Sequence, residues 1–260
     1  MRHKPVVVGI DGSPAADIAI KWAAVEAASL RSNLRMLHAV AAHEPASSAG
    51  EVVYRAVRLA RGLAPGIEID TRIDKGTPST VLVKASSDAE VVVIGSRGLG
   101  VMAGALVGAT GLDLAANARC PVVVVRPGLA ELDGTRVVIG YDGSPAGDTA
   151  LDYGIVYARR HNLAVRVIAA QPIGTDLHRL TEDQLREAVH KHDGHDAELI
   201  QITGHPAEHI LRLSSDAALI VLGARGRGGF AGMLIGSVSQ TVLHHADCPV
   251  AIIPAAAIGG

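Results

Sequence analysis

Apolar and polar positions divide the chain into short runs rich in Val and Ile, separated by Ala-rich stretches of helical length. The apolar runs fall near residues 5–10, 34–40, 67–73, 90–95 and 121–126, and again near 136–141, 165–171, 198–203, 218–223 and 249–254. Runs too short and too uniformly apolar to show a polar face read as strands buried on both sides, and strands alternating with helices read as βαβ units around a parallel sheet. Ser13-Pro14, Thr77-Pro78, Ser144-Pro145 and His205-Pro206 sit where helices should begin, with a capping residue followed by a proline whose missing N–H is not needed in the first turn.

The pattern occurs twice. Val6–Asp17 lines up with Val137–Asp148, with nine of twelve positions identical. Gly76-Thr77-Pro78 matches Gly204-His205-Pro206, Ser86–Ala89 matches Ser214–Ala217, and Cys120-Pro121-Val122 matches Cys248-Pro249-Val250. Self-similarity at this period predicts two tandem Rossmann-like domains, each a five-stranded parallel sheet with helices on both faces. The expected boundaries are residues 1–127 and 135–260. Residues 128–134 form the linker, whose Gly and Asp interrupt helix and strand alike. So short a linker predicts domains packed on each other as an intramolecular pseudo-dimer.

Composition narrows the classes of function. Apolar residues make up 48% of the 260, almost all aliphatic, because aromatics are only 2%. No run approaches the roughly 20 apolar residues that cross a bilayer, and the start of the chain lacks the apolar core of a signal peptide, so a cytoplasmic protein without membrane contact is expected. A formal charge of −2 gives no basic field to hold nucleic acid. Cys120 and Cys248 occupy equivalent apolar positions and are read as small core residues rather than a disulfide. Trp22 is expected to face the sheet.

The chemistry sits in the loop after the fourth strand. Gly95–Ala109 and Gly223–Ser237 share eight of fifteen positions, and both place glycines with two and then nine residues between them: Gly95, Gly98 and Gly108, then Gly223, Gly226 and Gly236. Glycine lets a backbone approach a ligand closely and turn successive N–H groups toward phosphate oxygens. The helix that follows adds its unpaired N–H groups and positive dipole end. Arg97 and Arg225 bring positive charge, and Ser237 and Ser239 bring hydroxyls. Asp11 and Asp142 end the first strand, which neighbours the fourth if the sheet reverses its order between them. A carboxylate there either bonds a ribose hydroxyl or helps hold a phosphate-bound Mg2+. The same aspartates also suit an Asp-Gly turn.

The glycine spacing, the opening Gly9-Ile10-Asp11-Gly12-Ser13 and the closing Cys120–Val125 resemble the ATP-binding branch of the universal stress proteins, over nearly the whole chain and twice. The resemblance implies ATP, held in the second copy by Tyr141, Asp142, Ala170, Gly223, Gly226, Gly236, Ser237, Val238 and Ser239, while the charge of Arg225 and a phosphate-bound Mg2+ are expected from the residues themselves. In the first copy it implies Ile10, Asp11, Ala39, Gly95, Gly98 and Gly108, with Arg97 expected beside them for its charge, but there the residue after the last glycine is Ala109, followed by Thr110. The missing hydroxyl predicts a site weaker by about 1.5 to 3 kcal/mol. The resemblance also implies that the last strand of each domain is a pairing edge, used within the chain or in a homodimer.

Twelve histidines raise the question of a metal. His190, His192 and His195 flank an Asp-Gly turn, and His205 and His209 have no third ligand type nearby, so neither group predicts a cation site. No arginine finger, water-positioning Gln or Gly-Lys-Ser/Thr phosphate loop is evident, and no nucleophile elbow follows a strand. The expectation is therefore a nucleotide-dependent regulator in a stress response, with at most slow hydrolysis. The competing expectations are a nucleotide-dependent hydrolase or transferase, and a scaffold that binds no nucleotide.

Overall fold

A computed structural model describes residues 4–40, 46–96, 108–126, 134–171, 180–227 and 235–254. The chain separates into two compact units, Met1–Ala130 and Glu131–Gly260.

In the first unit the elements run β1 (Val6–Gly9), α1 (Pro14–Leu30), β2 (Leu34–Val40), α2 (Ala46–Leu63), β3 (Ile69–Lys75), α3 (Pro78–Ala85), β4 (Val91–Gly95), α4 (Ala109–Asn117) and β5 (Val122–Val125). The strands lie in the order β3-β2-β1-β4-β5, and the registered pairs are parallel. The second unit repeats the plan with β6 (Arg136–Gly140), α5 (Pro145–His161), β7 (Ala164–Gln171), α6 (Glu182–Lys191), β8 (Glu198–Thr203), α7 (Pro206–Arg212), β9 (Ala217–Gly223), α8 (Ser237–His245) and β10 (Val250–Ile253). Its order is β8-β7-β6-β9-β10, again parallel. The α/β architecture expected from the sequence is the one observed.

The central strands are fully buried: Val6, Val7, Val8, Val92, Val93, Val137, Val138, Ile139, Leu219 and Ile220 have no exposed surface. That explains why these strands read as continuous apolar runs. Helix α1 presents Ala19, Ala23 and Ala27 to the sheet, small enough for close approach, and Trp22 is buried beside them. Four prolines open helices as expected. Ser13, Thr77 and Ser144 accept N–H bonds from Ala16, Thr80 and Gly147 at 3.1, 3.3 and 3.0 Å, whereas His205 holds the capping position without a side-chain bond. Cys120 and Cys248 are buried and not joined in a disulfide, and burial pushes the Cys120 thiol up to about 12.

Strand β3 departs from the expected 67–73 and runs two residues later. Its limits follow its pairing with β2, from Leu34↔Ile69 to Val40↔Lys75, rather than its own composition, because this outer strand is largely exposed and carries no apolar run. Among the described residues, no helix is long and apolar enough to cross a membrane.

Candidate functional site

In each unit the chain passes from the first strand to the second on one side and places the fourth strand on the other. Pairing of β1 with both β2 and β4, and of β6 with both β7 and β9, fixes that reversal between the first and fourth strands. Beyond the carboxyl ends of these two strands lies the crevice in which open α/β sheets bind ligands. Asp11 and Gly95 flank it in the first unit, and Asp142 and Gly223 in the second.

In the second unit the carboxylate of Asp142 ties two loops together. Its Oδ1 accepts the Ser144 N–H at 3.0 Å, which shapes the turn into α5, and its Oδ2 accepts the Arg227 N–H at 2.7 Å, from the loop after β9. The Arg227 guanidinium returns a longer bond to the Asp142 carbonyl oxygen at 3.4 Å. A Cβ on Gly226 would run into Asp142 Oδ2, so glycine is required there for the lacing to form. Gly223 is required for another reason: its Cβ would stand 2.9 Å from the carbonyl carbon and the Cβ of Ala146, in the first turn of α5.

Gly236 differs from both. Its φ of −67° is open to any residue, and a Cβ would find nothing nearer than Ala224 O at 3.4 Å, an ordinary contact. Neither backbone conformation nor packing against the described residues demands glycine at this position. It is the N-cap of α8 and supplies no side-chain bond, while its own N–H goes to Ala224 O at 2.8 Å. The first bond of the helix runs from Gln240 N to Gly236 O at 2.9 Å, so the amides of Ser237, Val238 and Ser239 have no partner among the described residues. The exposed Ser237 hydroxyl stands beside them. Ser239 is buried instead, and its hydroxyl donates to Gly223 O at 2.7 Å, fastening the start of α8 to the end of β9.

Tyr141 is buried and its hydroxyl donates to Asp148 Oδ1 at 2.8 Å. Burial, then the neighbouring Asp148 carboxylate, push its pKa up. Ala170 sits half-buried near the end of β7, opposite Ile202, and Arg225 is exposed on the β9–α8 loop.

The first unit keeps the frame and changes the contacts. Asp11 Oδ1 accepts the Ser13 N–H at 2.9 Å, and a Cβ on Gly95 would come within 2.6 Å of the Ala15 carbonyl carbon. Gly108 donates to Ser96 O at 3.1 Å, as Gly236 does to Ala224. Helix α4 begins more tightly, because Gly111 N and Leu112 N both bond Gly108 O, at 3.0 and 3.4 Å, leaving the amides of Ala109 and Thr110. Gly111 stands where the second unit has Ser239, so no hydroxyl fastens this helix to Gly95. Asp17, the counterpart of Asp148, is bound by Arg55 of α2 at 2.7 Å, and the same guanidinium reaches Gly12 O at 3.3 Å. His38 Nδ1 donates to Ile10 O at 2.7 Å from beside Ala39, which is half-buried on β2. Arg97 and Gly98 lie outside the described residues.

The structure thus brings Asp142, Gly223, Gly226, Gly236, Ser237, Val238 and Ser239 to one end of the second sheet. It assigns Ser239 a bond within the fold, so the expected second hydroxyl has its proton committed to Gly223. Sequence reasoning missed Arg227, although its place directly after Gly226, where the first copy has Leu99, was a visible difference. It also missed Arg55, for which the sequence carries no signal. Among the described residues, no three His, Cys, Asp or Glu side chains come together to hold a metal ion.

Comparison with known proteins supports the repeat. The model of the universal stress protein family matches residues 2–126 and 135–254. A universal stress protein of Mycolicibacterium smegmatis is 29% identical over 282 residues, covering 95% of this chain and 96% of that protein. One from Mycobacterium tuberculosis is 29% identical over 286 residues, covering 96% and 97%. The crystal structure of a universal stress protein from Archaeoglobus fulgidus superposes with a TM-score of 0.78 at 19% identity, covering 98% of this chain and 99% of that one.

Proposed function

The chain belongs to the universal stress protein family, and on that premise we propose that it is an ATP-binding regulator whose dependable nucleotide site lies in the second unit. Gly236 carries the reading. It is a glycine that neither its backbone conformation nor its packing against the described residues requires, at the N-terminus of α8, with three amides that have no partner among the described residues and the Ser237 hydroxyl beside it. A phosphate group uses each of these features: the space left by the absent Cβ, the N–H donors and the positive end of the helix. The adenosine lies toward Tyr141, Asp142 and Ala170, and the loop of Gly223, Arg225 and Gly226 follows the phosphates.

Both Asp142 oxygens already accept backbone N–H groups, so this carboxylate alone does not make a Mg2+ site. Mg2+ arrives with the phosphates and keeps most of its water. In the first unit Ile10, Asp11, Ala39, Gly95, Arg97, Gly98, Gly108, Ala109 and Thr110 make the weaker counterpart. Occupancy of the second site biases the state the protein presents to its partners during stress, and hydrolysis is at most slow because the sequence carries no arginine finger, water-positioning Gln or Gly-Lys-Ser/Thr phosphate loop.

Denaturing the purified protein and separating what it releases tests this directly. Adenine nucleotide at close to one per chain is expected; release of none, together with no uptake of added ATP, leaves the scaffold reading. Turnover faster than a few per minute that is lost in Asp142→Ala supports the enzyme reading.

A further inference from the structure

Strand β3 forms the outer edge of the first unit's sheet, and Thr71 to Lys75 are all exposed. Long edges of this kind are commonly protected by a proline, a bulge or brevity. This one has seven residues in unbroken register with β2 and none of those devices. Glu68 O accepts Leu34 N–H at 2.8 Å and Gly76 N–H donates to Val40 O at 3.1 Å, so the even-numbered residues turn their backbone groups toward β2. Successive residues face opposite sides, which leaves the N–H and C=O groups of Ile69, Thr71, Ile73 and Lys75 directed outward.

The remaining protection is charge, and its order along Glu68-Ile69-Asp70-Thr71-Arg72-Ile73-Asp74-Lys75 is informative. Two copies of one edge strand related by a two-fold axis run antiparallel. An axis between residues sets outward groups against inward ones and forms no ladder, so the axis must pass through a residue. At Asp70, Arg72, Asp74 or Lys75 it places that charge on itself. At Ile69 it opposes Glu68 to Asp70, and at Thr71 it opposes Glu68 to Asp74.

Only Ile73 avoids every like-charge pair. There Ile73 meets Ile73, Arg72 faces Asp74 on both sides of the axis, and Thr71 faces Lys75. The same register lets the outward groups of Ile73 exchange both hydrogen bonds. It puts Arg72 and Asp74 in the non-hydrogen-bonded position, where side chains approach most closely. Ile73 is 47% exposed, one of few large apolar side chains so placed, and Arg72 holds only a loose ion pair with Asp70 at 3.6 Å. The equivalent edge strand of the second unit, β8, lacks this pattern: its one charge, Glu198, is held by Arg136 and Arg166, each at 2.8 Å, and Gln201 is bonded to the Leu180 carbonyl at 2.8 Å.

We propose that the β3 edge is a homotypic docking surface, on which a second copy of the chain adds β3 antiparallel about Ile73. The surface is independent of the nucleotide reading. Sedimentation equilibrium of the full chain across a concentration series tests it. The wild type should show a monomer–dimer equilibrium. Arg72→Asp, which sets Asp against Asp twice, should weaken association by about tenfold or more, as should Asp74→Arg. The double variant Arg72→Asp/Asp74→Arg restores the complementarity and should restore the dimer. At concentrations low enough to leave the wild type monomeric, all four proteins should melt alike, since both side chains are exposed. A wild type that stays monomeric at every concentration overturns the proposal, as does a dimer indifferent to the single exchanges or one the double exchange fails to rescue.

Discussion

The two units carry the same motif on the same strand order, yet they fasten their loops differently. In the second, Ser239 fixes the start of α8 to Gly223 and Asp142 binds the amide of Arg227, so the crevice is closed by bonds from its own walls. In the first, Gly111 replaces that serine, α4 tightens its first turn onto Gly108, and the turn after β1 is held by Arg55 from a helix further away. A duplicated fold preserves its packing because the core needs it. The polar contacts at the mouth of the sheet are free to diverge once one copy suffices for binding.

The strongest way to break the comparison is at the two glycines that begin α4 and α8. Gly236→Val should cost nucleotide affinity about a hundredfold or more with little change in melting temperature, while Gly108→Val should leave the total bound per chain almost unchanged; isothermal titration with ATP reads both. If both substitutions reduce binding equally, the asymmetry is wrong. Next come Ser237→Ala, expected to weaken binding by about ten- to a hundredfold, and Ala109→Ser, expected to raise stoichiometry from one toward two. Gly223→Ala sharpens the contrast with Gly236 from the other direction: its Cβ meets the backbone of Ala146, so stability should fall by about 1 to 3 kcal/mol in a denaturant titration.

Smaller again is Ser239→Gly, which gives the second unit the residue of the first and should cost about 1 to 2 kcal/mol. The smallest effect is alkaline. The folded Tyr141 pKa is raised above that of the unfolded chain, so the folded state holds its proton where the unfolded chain releases it. That contribution is complete below about pH 10 and is lost as pH rises through the folded value. Tyr141→Phe should flatten this part of the pH–stability curve; an unchanged slope would count against a Tyr141 pKa raised by burial and by Asp148.

Sequence and structure agree where burial dictates residue type. Strands such as Val91–Gly95 and Val122–Val125 are sealed on both faces, so they announce themselves as apolar runs. Strand β3 was misplaced by two residues because an exposed edge takes its limits from its neighbour. The three motif glycines look alike in sequence, but one is demanded by helix packing, one by the Asp142 carboxylate and one by neither. No spacing rule separates them, since the deciding partners lie far along the chain, 85 residues away in the case of Asp142 and Arg227.

That long-range bond bears on how a ligand is received. Asp142 fixes the backbone at Ser144 and Arg227 during folding, so the freedom these segments would otherwise surrender on capture is already gone. Calorimetry should therefore record nucleotide capture by the second unit with a small entropic penalty, and removing the carboxylate with Asp142→Ala should make that penalty larger.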